Sequence, residues 1–161
     1  MKIPSFRKKK QNSKNKVIFL DIDGVLNHDN AKEDMDSPCL LELQKIVEAT
    51  GAKLVLTSSW KYYFFQEENN PSKVYIEKRL SDFHMELYDI APDLGNGKRA
   101  EEIALWLDQH KDFTSYVILD DCFFPGFKKM KHHLCMTDWN QGGLTKKHSE
   151  KAIQILNGPH H

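Results

Sequence analysis

The chain has 161 residues, 40% of them hydrophobic and 11% aromatic. That is enough for one domain with its own core, too little for two ordinary ones, and too apolar for wholesale disorder. Lys plus Arg and Asp plus Glu each number 23, but seven of the bases and none of the acids fall in residues 1–16, so the rest carries a net charge of −7.

Residues 1–15 read as a basic, flexible arm, with almost nothing to bury. The remainder, 16–158, reads as a single domain. Val17-Ile18-Phe19-Leu20 is a short apolar run rich in β-branched residues, ending abruptly in Asp21, which predicts a buried strand. Ser37-Pro38 opens a helix whose inner face is Leu40, Leu43, Ile46 and Val47 and whose end is Gly51. Leu54-Val55-Leu56 is a second buried strand, stopping at Thr57-Ser58-Ser59. Asn70-Pro71-Ser72 starts another helical stretch, with Ile76, Leu80, Phe83 and Leu87 at helical spacing. Leu87–Ile90 also reads as a short strand. Pro92 to Gly97 is a loop, and Ala100, Ile103, Ala104 and Leu107 mark an amphipathic helix. Tyr116-Val117-Ile118-Leu119 is a strong strand that ends in Asp120-Asp121, and Leu134-Cys135-Met136 is a further one. Asp138 and Gly142-Gly143 read as a turn, and Thr145 caps a last helix with Ala152, Ile153 and Leu156 inward. Continuous apolar strands alternating with helices predict an α/β, Rossmann-like parallel sheet covered on both faces.

Cys39, Cys122 and Cys135 are widely spaced and odd in number. They form neither a disulfide framework nor a zinc pattern, so a reducing, cytoplasmic setting is expected. No apolar run has the length of a membrane span, and the basic start lacks the apolar segment of a secretory signal.

In open parallel sheets the ligand crevice lies at the carboxyl ends of the strands. Three strands here end in reactive residues: Asp21 and Asp23 with Gly24, Thr57-Ser58-Ser59, and Asp120-Asp121. Four carboxylates and three hydroxyls are therefore expected to converge on one edge. Two like charges about 4 Å apart repel by roughly 4 kcal/mol at an effective dielectric near 20. Protons or a cation must relieve this, and an all-oxygen set suits a hard divalent ion such as Mg²⁺ where phosphate is also bound.

Asp21-Ile22-Asp23-Gly24-Val25, then Thr57, then Lys98 or Arg99, then Asp120-Asp121 resemble, in order and context, the four motifs of the haloacid dehalogenase-like (HAD) superfamily. Asp23-Gly24-Val25-Leu26-Asn27, Leu56-Thr57-Ser58-Ser59-Trp60, Glu102-Ile103 with Trp106-Leu107, and Leu119-Asp120-Asp121 are similar to the small HAD domains of Swiss-army-knife RNA repair proteins. The resemblance implies a Mg²⁺-dependent phosphomonoester hydrolase. Asp21 would be the nucleophile that forms an aspartyl-phosphate, and would also touch the metal. Asp23 would be general acid and then base, its backbone carbonyl a metal ligand. Thr57 and the Ser58 N–H would bind phosphoryl oxygens. Asp121 would ligate the metal, supported by Asp120. One of Lys98 and Arg99 would be the third-motif cation: Arg99 fits the register and Lys98 the residue type. Asp23 itself argues for a phosphatase or phosphotransferase, because transport ATPases of this fold carry Thr there.

Each feature has a bland reading. Asp23-Gly24 is a common turn, Thr57-Ser58-Ser59 a helix cap, and Lys98-Arg99 a solvated helix start. A base at a helix N-terminus opposes the dipole, which favours function for one of that pair. Asn27 either braces the loop or meets the substrate. Trp60, Tyr62, Tyr63, Phe64 and Phe65 read as core and lid packing rather than a base-stacking platform. Lys128, Lys129, Lys131, His132 and His133 form a basic patch, read equally as a solvated face or a substrate contact. There is no room for a large inserted cap, so the site is expected to be capless or nearly so, and to accept nucleic-acid ends or nucleotides. The alternatives are a small-metabolite phosphatase and a catalytically silent HAD-like binding module.

Overall fold

The apolar run ending at Leu20 becomes the middle strand of a five-stranded sheet. The computed structural model describes residues 15–159. The strands are β1 (Asn15–Leu20), β2 (Lys53–Leu56), β3 (Leu87–Ile90), β4 (Phe113–Asp120) and β5 (Leu134–Met136). Their order is β3-β2-β1-β4-β5, with every neighbouring pair parallel. The helices are α1 (Ser37–Thr50), α2 (Pro71–Asp82), α3 (Arg99–Gln109) and α4 (Lys146–Asn157).

Side chains alternate across a strand, and β1 shows why both faces need cover. Ile18 and Leu20 enter a core built with Leu40 and Leu43 of α1, Leu80 of α2 and Leu156 of α4. Val17 and Phe19 point the other way, onto Ile103 and Trp106 of α3 and onto Phe127. Fully burying each such side chain stabilises the fold by about 1.5–3 kcal/mol. The α/β, Rossmann-like expectation therefore holds, with helices on both faces. Among the described residues no cap domain is inserted: the long stretches between strands hold ordinary helix, 3-10 turns and β3. No helix there is long and apolar enough to cross a membrane.

Three expectations shift. The proposed arm, 1–15, lies outside the described residues except for Asn15. That residue belongs to β1, opposite Phe113, and its side chain donates to Asp112 at 2.9 Å. Leu87 is not the fourth turn of a helix. α2 stops at Asp82, Phe83 caps it, and His84 turns the chain with a φ of 62°, so Leu87 starts β3. The expected turn at Asp138 contains a 3-10 helix, Trp139–Gln141, which the Asp138 side chain caps.

The aromatic run after β2 also divides. Residues Ser59–Phe65 form a 3-10 turn, in which side chains three apart eclipse. Lys61 and Phe64 therefore face inward, Phe64 against the larger core, while Tyr62 and Phe65 are left exposed on the outer side. Packing accounts for only part of this run.

Candidate active site

The chain changes direction across the sheet between β1 and β4, and the crevice lies outside the carboxyl ends of these two strands. Asp21 continues β1 by one residue, its N–H donating to Leu119 O of β4 at 3.1 Å. Its side chain is buried. Asp120 is the last residue of β4 and is fully buried; Asp121 follows, half-buried. Carboxylate oxygens of Asp21, Asp120 and Asp121 lie within 4.8 Å of one another.

Arg99, the first residue of α3, projects into this group. Its Nη1 donates to Asp120 Oδ2 at 2.6 Å and lies 3.7 Å from Asp21 Oδ1, while its guanidinium covers the Phe124 ring at 4.5 Å. The other oxygen of Asp120 accepts from the Cys122 N–H at 3.0 Å. Lys98 is the N-cap residue and points elsewhere: its side chain is 54% exposed and reaches only Glu101, at 3.8 Å. Of these two candidates, only Arg99 reaches the carboxylates.

One cation does not compensate three acids. Burial, and then the Asp120 charge, push the Asp21 carboxyl well above its ordinary range, against the opposing pull of Arg99. Burial raises Asp120 as well, and burial with the Asp120 charge raises Asp121. A carboxylate cluster held in this condition suits a further cation.

Asp23 is not one of the carboxylates within that 4.8 Å, but its charge is close enough to raise Asp121 further. Its Oδ1 accepts from Asn27 Nδ2 at 2.9 Å and its Oδ2 from Trp60 Nε1 at 3.0 Å. Between Asp21 and Asp23, Ile22 is buried in the core, and the chain then turns at Gly24 with a φ of 81°. A Cβ on Gly24 would collide with the Asp121 carboxylate, so the glycine serves both the turn and the close approach. Asn27 braces this turn: its Oδ1 accepts from Gly24 N and its amide also donates to Asp34 O. Thr137 Oγ1 donates to Gly24 O from the far side, at 2.6 Å.

Thr57 follows β2 directly beside Asp21, because Leu20 and Leu56 are in register and the Thr57 N–H donates to Leu20 O. Its hydroxyl is fully buried and, among the described residues, is the one buried side-chain polar atom with no hydrogen-bond partner. Such a group carries a cost of about 1–3 kcal/mol until something bonds it. The other two hydroxyls are placed differently. Ser58 accepts from the Trp60 N–H at 3.1 Å and caps the 3-10 turn, while Ser59 is exposed.

Sequence reasoning passed over two side chains in this region. Trp60 looked like packing, yet its indole holds Asp23. Lys61 is a charge inside an aromatic run, and that placement was the available signal. It is buried and pairs with Glu102 of α3 at 2.6 Å, with side chains 6% and 3% exposed. Glu102 Oε2 also accepts from the Leu94 N–H at 2.8 Å. The segment after Thr57 is thereby tied to the helix that carries Arg99. A second titratable group, His28, Asp36 and Cys39, is satisfied internally. His28 bonds Asp36 at 2.9 Å, Cys39 donates to Gly142 O at 3.4 Å, and burial pushes its thiol up to about 11.

The family model of the HAD domain in Swiss Army Knife RNA repair proteins matches residues 17–149. The chain belongs to this family. That places it in the HAD superfamily, a group of hydrolases and phosphatases, and the match spans all five strands beyond the first two residues of β1. No curated protein and no solved structure matches the chain.

Proposed function

We propose that this HAD domain is a Mg²⁺-dependent phosphomonoester hydrolase that works through an aspartyl-phosphate on Asp21. The reading is carried by one grouping: three carboxylates within 4.8 Å, a single guanidinium among them, and a partnerless buried hydroxyl alongside. The donor set is all oxygen and of net negative charge, which fits Mg²⁺. Asp21 and Asp121 would hold the ion, with the Asp23 backbone carbonyl, while Asp120, both of whose oxygens are engaged, supports them. When bound, the ion neutralises charge on the transferred phosphoryl group and on the carboxylates.

In the first half-reaction an Asp21 oxygen bonds to phosphorus and the ester P–O bond breaks. The leaving oxygen takes a proton from the Asp23 carboxyl. In the second, water attacks phosphorus and gives its proton to Asp23. The bond from phosphorus to Asp21 breaks, and inorganic phosphate leaves. Proton transfer of this kind contributes typically 10²–10⁴-fold. Thr57 Oγ1 donates to a phosphoryl oxygen, which removes the cost of its buried, unpaired state. Arg99 keeps charge balance as Asp21 changes from carboxylate to acyl phosphate.

The family's description in RNA repair proteins supports a phosphorylated nucleic-acid end or nucleotide as substrate, as does the lack of a cap domain among the described residues. The three free cysteines support a reducing, cytoplasmic setting. The test is release of p-nitrophenol from p-nitrophenyl phosphate with Mg²⁺ and with chelator, beside an Asp21→Asn control. Metal-dependent turnover abolished by Asp21→Asn is expected. Equal turnover by wild type and Asp21→Asn overturns the assignment of Asp21, and absence of turnover leaves a silent binding module. Turnover of sugar phosphates in preference to phosphorylated oligonucleotides and nucleotides makes it a metabolite phosphatase.

A further inference from the structure

Beside the carboxylates opens a cleft of about 430 Å³, between the 3-10 turn Ser59–Phe65 and the loop from Asp93 to Lys98. Small-ligand sites span roughly 300–1,000 Å³, a range that takes in this cleft. Arg99 belongs to both places: it lines the cleft and reaches Asp21. Whatever fills the cleft therefore adjoins a group held on Asp21.

The wall has a flat face, an exposed cation and bare backbone. Tyr62 is 57% exposed at its edge. Lys98, its side chain 54% exposed, stands at the N-terminus of α3. Gly95 and Gly97 have φ of 106° and 76°, and nothing lies within 4 Å of where a Cβ on either would sit. Of the two acids of the wall, Glu102 is buried and held by Lys61 and the Leu94 N–H, while Asp93 is exposed and accepts from the Gly95 N–H at 3.1 Å. The exposed cation of the wall is Lys98, whose ion-pair partner, Glu101 at 3.8 Å, is itself exposed and does not line the cleft.

We propose that this cleft is a subsite for the nucleotide next to the scissile phosphate of a single-stranded nucleic-acid end. Its unpaired base stacks on Tyr62 and the following backbone phosphate meets Lys98. This rests on the phosphatase reading and adds the strand to it. A sugar phosphate offers neither a flat π face nor a second anion. A base inside a duplex has its faces and its pairing edge already covered, whereas stacking on an aromatic side chain is open to any unpaired base.

The experiment uses the full chain with Mg²⁺ and three substrates: p-nitrophenyl phosphate, a ten-nucleotide single strand with a 5′- or 3′-phosphate, and the same phosphorylated end recessed inside a duplex. We expect single strand over duplex by at least about tenfold in kcat/KM, from the stacking contribution of one base. Tyr62→Ala and Lys98→Ala should each lower the ratio of kcat/KM on single strand to that on p-nitrophenyl phosphate by about tenfold. Lys98→Ala should also reduce the slope of log affinity against log salt by roughly 0.7, the value for one phosphate of a single strand. Anisotropy of a labelled, phosphorylated strand on the same proteins reads binding without turnover. Turnover of p-nitrophenyl phosphate with ratios unchanged in both variants, or equal use of duplex and single strand, overturns the subsite and spares the phosphatase. No release from any substrate overturns the phosphatase, and the binding arm then decides the cleft: affinity unaltered by both variants rejects it.

Discussion

The indole N–H of Trp60 ends 3.0 Å from Asp23 Oδ2, so the aromatic side chain beyond β2 fixes the carboxyl that lies two residues beyond Asp21. Asn27 bonds the other oxygen from within the loop. Asp23 is thus held in a single orientation by two donors on different segments. Holding a proton-transfer group in place matters most when the leaving oxygen is a poor one. Trp60→Phe keeps the ring and removes the donor. It should lower kcat about tenfold on an alkyl phosphate and change it little on p-nitrophenyl phosphate, whose leaving group needs no proton. An equal loss on both substrates would assign Trp60 to packing alone.

Gly24 carries a heavier constraint than its turn. Its left-handed φ costs a non-glycine residue roughly 1–2 kcal/mol, and the added methyl would strike the Asp121 carboxylate. Gly24→Ala should fold, with Tm lower by about 2–8 °C in a domain of this size, and should lose the rise in Tm that Mg²⁺ gives the wild type. A calorimetric scan with and without Mg²⁺ reads both effects. A full Mg²⁺ response in the variant would remove Asp121 from the metal set.

The carboxylate cluster makes a pH prediction with a definite sign. Burial and the Asp120 charge hold Asp21 above its ordinary range, and burial raises Asp120 and Asp121 also. A carboxyl raised by folding favours the folded state below its unfolded pKa of about 3.9 and loses that contribution as pH rises through its folded value. Metal-free wild type should therefore lose stability over that interval. Asp21→Asn should be the more stable protein at pH 7–8, by about 2–4 °C for each kcal/mol relieved. Mg²⁺ should raise the wild-type Tm more at pH 8 than at pH 5. Thermal melts across pH check this, and an Asp21→Asn protein less stable than wild type at pH 8 without metal contradicts it.

The Lys61–Glu102 pair is buried on both sides and joins two segments of the site. Removing one member strands a charge, at about 3–5 kcal/mol, whereas replacing both with apolar groups is often neutral. Lys61→Met and Glu102→Leu should each lower Tm by about 6–20 °C, and the double variant should recover most of it. Urea unfolding of the four proteins gives the coupling directly. If the double variant is stable yet slow on p-nitrophenyl phosphate, the pair also positions Arg99; unchanged turnover would confine it to stability.

The residue order of the chain determined the α/β class, the buried strands and the motif sites at their ends, because these are local. A run such as Val17–Leu20 has no exposed option, and a strand that stops in acid must place that acid on the sheet edge. Leu87 was ambiguous for the same reason: four positions of apolar spacing suit a helix, and only the neighbouring β2 supplies the hydrogen bonds that make β3. Lys98 and Arg99 were indistinguishable until α3 began at Arg99, which turned one cation to Asp120 and left the other in water. Asp23, Trp60, Lys61 and Glu102 were settled by contacts between residues 37 and 41 positions apart. Such contacts depend on how segments pack across the sheet, and no spacing along the chain encodes them.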